Sequence, residues 1–118
     1  MGTVMTPGTI PNFISIDYGL LFGDDTLYGG NGSDKIWGGA GHDYIDGGEG
    51  IDSLYGHGGE DTIWGGAADD LIWTGTGWDT VFGGPGCDYI YSQDGGDVIW
   101  GEECDPSNID VLDGNNTN

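Results

Sequence analysis

Aliphatic residues recur along this chain with a period of nine between Leu20 and Trp100. When blocks of nine are counted from Leu20, the eighth position is aliphatic in all nine blocks, and seven of these nine residues are β-branched. β-Branched side chains favour extended backbone. The eighth positions are Leu27, Ile36, Ile45, Leu54, Ile63, Ile72, Val81, Ile90 and Ile99. The pattern predicts a strand of about three residues in each block.

Glycine marks the turns between these strands. The fourth position is glycine in eight of nine blocks, Ala68 being the exception, and the first and second positions are each glycine in six. A strand this short cannot bury an apolar face alone, so the blocks must stack. With two blocks per coil, the spatial period is 18 residues, and the aliphatic residues of alternate blocks form two facing columns. Nine blocks make four and a half coils, roughly 20 Å long at a strand spacing of ~4.8 Å. We therefore expect an all-β, parallel solenoid.

The repeat divides the chain into three parts. Residues 20–100 carry the nine blocks, whereas residues 1–19 and 101–118 do not follow the pattern. Residues 13–18 alternate like a strand and could cover the first coil. We expect both ends to be caps.

An aspartate occupies the sixth position of every block. These residues are Asp25, Asp34, Asp43, Asp52, Asp61, Asp70, Asp79, Asp88 and Asp97. Stacking would bring like charges to ~5 Å from one another, where they repel. A hard dication between successive turns would remove the repulsion, with oxygen ligands from the carboxylates and from main-chain carbonyls. Ca²⁺ suits such a site better than Mg²⁺, because it accepts six to eight oxygens in flexible geometry.

The overall charge supports a role for cations. The chain has 21 acidic residues against the single basic Lys35, and its formal net charge is −20. Five aspartates on one edge and four on the other leave about seven gaps for Ca²⁺, and about seven ions would bring the charge to about −6. Metal binding should then be inseparable from folding. Metal-free Asx turns and a disordered acidic chain are the alternatives, but neither explains an aliphatic residue at every eighth position.

Two consecutive blocks have a known family pattern. They read GGNGSDKIW at residues 29–37 and GGAGHDYID at 38–46, and they closely resemble the RTX, or haemolysin-type calcium-binding, nonapeptide. The resemblance covers residues 20–100. It implies a right-handed parallel β-roll with Ca²⁺ between its turns, the nine aspartates as ligands, and a secreted bacterial protein that folds in external calcium. The pattern departs at His57, Ala68, Thr74 and residues 92–94.

The ninth position is aromatic in eight of nine blocks and should face outward, since its neighbour faces the core. The aromatic residues are Tyr28, Trp37, Tyr55, Trp64, Trp73, Phe82, Tyr91 and Trp100. Soluble monomers rarely leave such patches uncovered. The rings could stack on one another along each face, they could join copies of the chain into a fibre or layer, or they could bind glycans.

Two cysteines, Cys87 and Cys104, lie 17 residues apart, which is one less than a full coil. Adjacent coils are close enough for a disulfide. We predict this bond, which would indicate an oxidising, extracellular location; two free thiols are the alternative. Asn31 and Asn115 fit the N-glycosylation acceptor pattern.

Several classes of function are disfavoured. One basic residue offers no footprint for nucleic acid or anionic membrane surfaces, and no run of apolar residues is long enough to insert into a bilayer. His42 and His57 have no nucleophile beside them, and no catalytic motif occurs, so we expect no enzymatic activity. The sequence predicts a calcium-binding, extracellular, structural β-roll that associates with copies of itself. A non-catalytic folding or secretion module of a larger RTX protein and a glycan-binding module are the alternatives.

Overall fold

The computed structural model describes residues 4–5, 15–16, 23–101 and 111–113. These residues form twelve β-strands, and no helix occurs among them. The strands are β1 (Val4–Met5), β2 (Ser15–Ile16), β3 (Thr26–Asn31), β4 (Lys35–Ala40), β5 (Tyr44–Glu49), β6 (Ser53–Gly58), β7 (Thr62–Ala67), β8 (Leu71–Thr76), β9 (Thr80–Phe82), β10 (Tyr89–Ser92), β11 (Val98–Trp100) and β12 (Val111–Asp113).

The strands form two parallel sheets of six. The odd sheet has the order β1-β3-β5-β7-β9-β11, and the even sheet has the order β12-β10-β8-β6-β4-β2. Within the repeat, each strand pairs with the strand two places along the chain, and the paired residues are 18 apart, as in Leu27 with Ile45 and Ile36 with Leu54; the exception is Ser92, which pairs with Gly75 after a register shift. The chain therefore winds as a parallel β-roll with two blocks per coil, which confirms the predicted fold class.

Within residues 23–101, the apolar core consists of the eighth-position aliphatic residues. All nine are buried, and they form one cluster between the two sheets. The register places Leu27, Ile45, Ile63, Val81 and Ile99 in one column. The facing column contains Ile36, Leu54, Ile72 and Ile90. Both columns are the predicted ones.

The predicted strand length was wrong for most of the roll. Strands β3 to β8 have six residues, not three, because each continues into the first three positions of the next block. Inside this extension Gly30 pairs with Gly48 and Asn31 with Glu49. Burial alternates along the whole six residues, so the first-position glycine also faces the interior. Glycine carries no side chain that could reveal this alternation in the sequence.

The two ends of the chain contribute short strands to the sheets. β1 pairs with β3, β2 with β4 and β12 with β10, all in parallel. Ser15–Ile16 lies inside the segment that alternates like a strand, and it does continue the even sheet. The remainder of residues 1–19 and 101–118 is outside the described residues, and their role as caps stays a prediction. No helix in the described part of the chain could span a bilayer.

Candidate metal centre

The sixth-position aspartates lie immediately before the strands and point inward. All nine are at most 4% exposed, although they are the most polar side chains of the repeat. Buried carboxylates are rare unless they are paired or bind metal. The two edges of the roll therefore each contain a stack of buried acids.

In seven of the nine aspartates, from Asp43 to Asp97, one carboxylate oxygen joins neighbouring coils. The main-chain N–H of Asp43 donates to Oδ1 of Asp61 at 2.9 Å, and the N–H of Asp61 donates to Oδ1 of Asp79 at 2.8 Å. Seven such bonds, each spanning 18 residues, run from Asp25 to Asp97 on one edge and from Asp34 to Asp88 on the other. The sixth-position aspartate thus fixes the register between coils.

The second carboxylate oxygen has different surroundings. Oδ2 of Asp43, Asp52, Asp61 and Asp70 is buried without a hydrogen-bond partner among the described residues. An isolated buried oxygen of this kind is costly, because it has lost water and gained no donor. Positive charge from outside the protein would compensate it.

Burial also changes the proton affinity of these groups. Loss of water around the carboxylates raises the pKa of Asp61 and Asp70 to about 8 and that of Asp52 to about 7. It raises the pKa of Asp43 and Asp79 to about 6. The main-chain hydrogen bond to Oδ1 acts in the opposite direction, and neighbouring carboxylates add to the rise. The metal-free site therefore favours protons, or another cation, near neutral pH.

Glycine at the first position leaves room for this carboxylate. A Cβ at Gly38 would stand 2.5 Å from Asp43 Oδ2 and 3.0 Å from the main-chain oxygen of Gly56. A Cβ at Gly56 would likewise stand 2.5 Å from both Asp61 Oδ2 and the main-chain oxygen of Thr74. The unpartnered carboxylate oxygen and a carbonyl oxygen of the next coil thus converge at the place that a side chain on Gly38 or Gly56 would occupy.

The departures at His57, Ala68 and Thr74 change individual sites and leave the path of the chain intact, whereas at Ser92 the register between β10 and β8 shifts. Thr74 takes the place of a first-position glycine, and its hydroxyl bonds the Asp79 carboxylate. His57 and Ala68 keep positive φ angles of 81° and 84°, in the region that glycine adopts at the equivalent positions. The backbone therefore follows the repeat here at a cost in strain.

The donor set fits a hard cation with oxygen ligands. Among the described residues, no three His, Cys, Asp or Glu side chains converge on one point. An ion at these turns would take carboxylate oxygen from the aspartates and complete its shell with main-chain carbonyls. Ca²⁺ accepts such mixed, flexible oxygen sets, whereas Mg²⁺ requires near-ideal octahedral geometry.

Comparison with known families agrees with this chemistry. The RTX calcium-binding nonapeptide repeat matches in four copies, at residues 22–54, 46–77, 55–90 and 73–103. The chain belongs to the RTX repeat family. RTX repeats bind Ca²⁺ in their turns, and here they build a calcium-binding β-roll. Comparisons with curated proteins and with solved structures found no match.

On the outer face of the RTX roll, the aromatic residues of the even sheet stack in one continuous row. The rings of Trp37 and Tyr55 are 5.2 Å apart, those of Tyr55 and Trp73 are 4.6 Å apart, and those of Trp73 and Tyr91 are 5.5 Å apart, all nearly parallel. We call these four residues the even row. Their ring faces are directed at one another along the roll, as expected for mutual stacking.

The odd sheet has an interrupted row. Trp64 stacks on Phe82 at 4.2 Å, and Phe82 stacks on Trp100 at 4.8 Å. Tyr28, three coils before Phe82 in the same column, instead makes a tilted contact with Tyr44 at 6.1 Å. The odd row is defined as Tyr28, Asp46, Trp64, Phe82 and Trp100.

The predicted disulfide falls partly outside the described residues. Cys87 is disulfide-bonded, but Cys104 is not among the described residues, so the pairing of these two stays a prediction. The two histidines lie away from each other: the His57 ring stacks beside Tyr55, and His42 accepts the Glu60 N–H at Nδ1.

Sequence reasoning missed two parts of the site. It did not assign the first-position glycines to the carboxylate site, although glycine in six of nine blocks was a signal. It also missed a ladder at the fifth position, where Asp24 and Asp69 accept main-chain N–H groups of the next coil, from His42 and Cys87. The varied residue types at that position gave no pattern.

Proposed function

We propose that this chain is an extracellular structural module whose β-roll folds when Ca²⁺ binds between its stacked turns. The observation that carries the proposal is the set of buried, unpartnered Oδ2 atoms represented by Asp43, Asp52, Asp61 and Asp70. Each removes an acidic oxygen from water inside a roll whose apolar core is only nine side chains in the described residues. Such a core is too small to offset these charges without a metal.

The number of ions follows from the number of gaps between turns. Seven hydrogen bonds link sixth-position aspartates of successive coils, and each marks one gap. We propose that Asp25, Asp34, Asp43, Asp52, Asp61, Asp70, Asp79, Asp88 and Asp97 hold about seven Ca²⁺ ions there. The hydroxyl of Thr74 beside Asp79 makes that site the least regular.

An extracellular location is supported by two features. Millimolar calcium outside cells would saturate even weak sites, whose affinity in extracellular modules lies at about 10⁻⁴–10⁻³ M. The disulfide at Cys87 is typical of an oxidising compartment. A non-catalytic folding module within a larger secreted protein would also bind external calcium and could also contain a disulfide.

The second part of the proposal is that folded copies associate through their aromatic faces. Trp64 and Trp100 remain 41% and 48% exposed even though they stack on Phe82. The stacking argues against glycan binding, because a sugar ring needs an open aromatic face. Along the even row, only the two terminal rings have a face that is not covered by another ring of the row.

The replacement of Asp61 by asparagine tests the metal site. Asparagine keeps an oxygen that can accept the Asp43 N–H, but it removes the buried charge. If Ca²⁺ occupies the site, Asp61→Asn should lower the free energy of unfolding in calcium by about 2 kcal/mol or more, the loss expected when one partner of a buried charge pair is removed. Urea unfolding in saturating Ca²⁺, followed by circular dichroism, measures this change.

The matched control is Asp94→Asn, which removes the same charge from an exposed position. It should change stability by less than about 0.5 kcal/mol. If the ladder were a metal-free turn motif, Asp61→Asn would relieve a buried charge and stabilise the roll. Stabilisation by Asp61→Asn in calcium would therefore contradict the proposal.

A further inference from the structure

The charges of the roll are separated from its sheet faces. The outward positions of the strands are the seventh and ninth of one block and the second of the next. Between residues 26 and 100, these positions contain one carboxylate, Asp46, one lysine, Lys35, and one histidine, His57. The other acids of the described repeat lie at turn positions and strand ends. In a chain of net charge −20, both sheet faces are therefore almost neutral.

Asp46 interrupts the odd row and creates a notch. The register places it directly between Tyr28 on one side and Trp64 on the other. Trp64 stacks on Phe82 with one face, so its opposite face is directed toward Asp46, where no ring stands. The carboxylate is half-buried and hydrogen-bonded to the main chain at Gly48. The notch thus combines an aromatic face with a negative charge.

Lys35 lies on the opposite side of the molecule. It is exposed on the outer face of the even sheet, at the start of β4. Its column continues with Ser53, Leu71 and Tyr89, and no acid occurs on this face from β4 to β10; beyond them, β12 pairs Asp113 with Tyr91. Lys35 is also the only basic residue of the whole chain. Lys35 and Asp46 therefore point in opposite directions.

We propose that Lys35 of one copy enters the notch at Asp46 of the next copy, so that the odd face of one roll packs on the even face of another. This inference rests on the proposed self-association and specifies its geometry. The ammonium group meets the Asp46 carboxylate, and its position beside the Trp64 ring adds a cation–π contact. The apolar stem of the lysine lies along the aromatic surface.

Charge favours this arrangement over closed dimers. Odd face on odd face would offer Asp46 no lysine, and even face on even face would offer Lys35 no acid of the repeat. Front-to-back packing satisfies both charges and joins two different surfaces. A contact of that type repeats without closing and produces a fibre or layer. The aromatic rows supply most of the buried area of the contact, and the Lys35–Asp46 pair sets the register and direction in which the copies pack.

The experiment is a charge swap measured by sedimentation velocity of the full chain in Ca²⁺ over a range of protein concentrations. Lys35→Glu and Asp46→Lys should each raise the concentration needed for half-assembly by about tenfold or more, because each places like charges in contact. The double variant has the net charge of the wild type, and it should recover most of the assembly. Asp46→Asn, whose amide oxygen can still serve as an acceptor for the main chain at Gly48, should weaken assembly less than Asp46→Lys.

Two controls separate pairing from other effects. Glu49→Lys changes the net charge as much as Asp46→Lys but lies at an exposed strand end, so it should not weaken assembly. Circular dichroism during a Ca²⁺ titration should show the same folding midpoint for all variants. Only the recovery of assembly in the double variant shows that Lys35 and Asp46 form a pair.

The outcomes that overturn the inference are distinct. If the wild type assembles but the loss of assembly in the double variant equals the sum of the losses in the two single variants, Lys35 and Asp46 do not pair. Self-association would still stand. If the folded wild type stays monomeric in calcium, self-association itself is wrong, and the pairing falls with it. Neither result affects the metal site.

Discussion

Each sixth-position aspartate has two carboxylate oxygens with different tasks. Oδ1 of Asp61 accepts the N–H of Asp43 and so joins two coils, whereas Oδ2 of the same residue is buried without a donor. The first bond needs only an acceptor, and an asparagine could provide it. If a cation reaches the second oxygen, as we propose, the presence of aspartate in every block is explained.

The raised pKa values predict an unusual pH dependence without metal. In the metal-free roll the pKa of Asp61 and Asp70 is raised to about 8 by burial, whereas unfolded aspartates keep the ordinary value near 3.8. The folded state therefore binds more protons, and its stability should be highest below about pH 4 and decline as pH rises through about 6 to 8. In a chelator, the β signal in circular dichroism should grow as pH falls from 8 to 5.

Calcium should reverse this trend, because protons compete with Ca²⁺ for the same oxygens. The Ca²⁺ concentration at half-folding should rise as pH falls. A change between pH 8 and 6 reports on the buried carboxylates, since burial raises the pKa of Asp61 and Asp70 to about 8. A chelated chain whose spectrum is unchanged from pH 8 to 5 would contradict the described burial.

Backbone strain at Ala68 predicts a stabilising substitution. Ala68 has a φ of 84° at a position that is glycine in the other eight blocks. Ala68→Gly should raise the free energy of unfolding in calcium by about 1 kcal/mol, because glycine adopts this conformation without a clash. The neighbouring Ala67 lies at the end of β7 without positive φ. Ala67→Gly should instead lower stability by about 0.5–1 kcal/mol. Equal effects in urea unfolding would refute the strain at Ala68.

At the scale of strands, the regular spacing of the repeat produces both the apolar core and the rows of stacked rings. An exact 18-residue register places each eighth-position side chain on its copy in the next coil, as in Ile45 on Leu27. The same register brings ninth-position rings into parallel contact, as in Tyr55 and Trp73 at 4.6 Å. The outer rows therefore stabilise the sheets from the solvent side, in addition to any role as an interface.

Truncation of Tyr55 measures the contribution of the even row. Tyr55 stacks on Trp37 and on Trp73, and each such ring pair contributes about 0.5–1.5 kcal/mol beyond its buried area. Tyr55→Ala should therefore lower the free energy of unfolding in calcium by about 2–3 kcal/mol. Tyr89→Ala is the control, since Tyr89 belongs to the same sheet but is 48% exposed and lies outside the row. A similar loss for both variants would show that stacking adds nothing.

The sequence predicted those parts of the fold that depend on the type of side chain at each repeat position. The columns through Ile45 and Ile36 followed from the aliphatic eighth position, and the stacked acids followed from Asp43 and its equivalents. Strand length was mispredicted because Gly29 and Gly30 have no side chains to alternate. The direction of the ring planes and the unpartnered Oδ2 atoms depend on side-chain geometry, which spacing alone does not determine.

At the scale of the whole molecule, the roll holds a thin core between two acidic edges. Nine aliphatic side chains form the core of the described residues, and the formal net charge of the chain is −20. About seven dications would neutralise most of this charge. They would lie at the two edges, where the carboxylates repel one another most. Folding and metal binding should therefore occur in a single step, as in other small metal-dependent domains.

Coupled folding is tested most directly by far-UV circular dichroism of the full chain at pH 7.5, first in chelator and then during addition of Ca²⁺. The account predicts a spectrum without β-structure in chelator, a cooperative change to a β spectrum as Ca²⁺ is added, and little change with the same concentrations of Mg²⁺. A β spectrum that is already complete in chelator would contradict it.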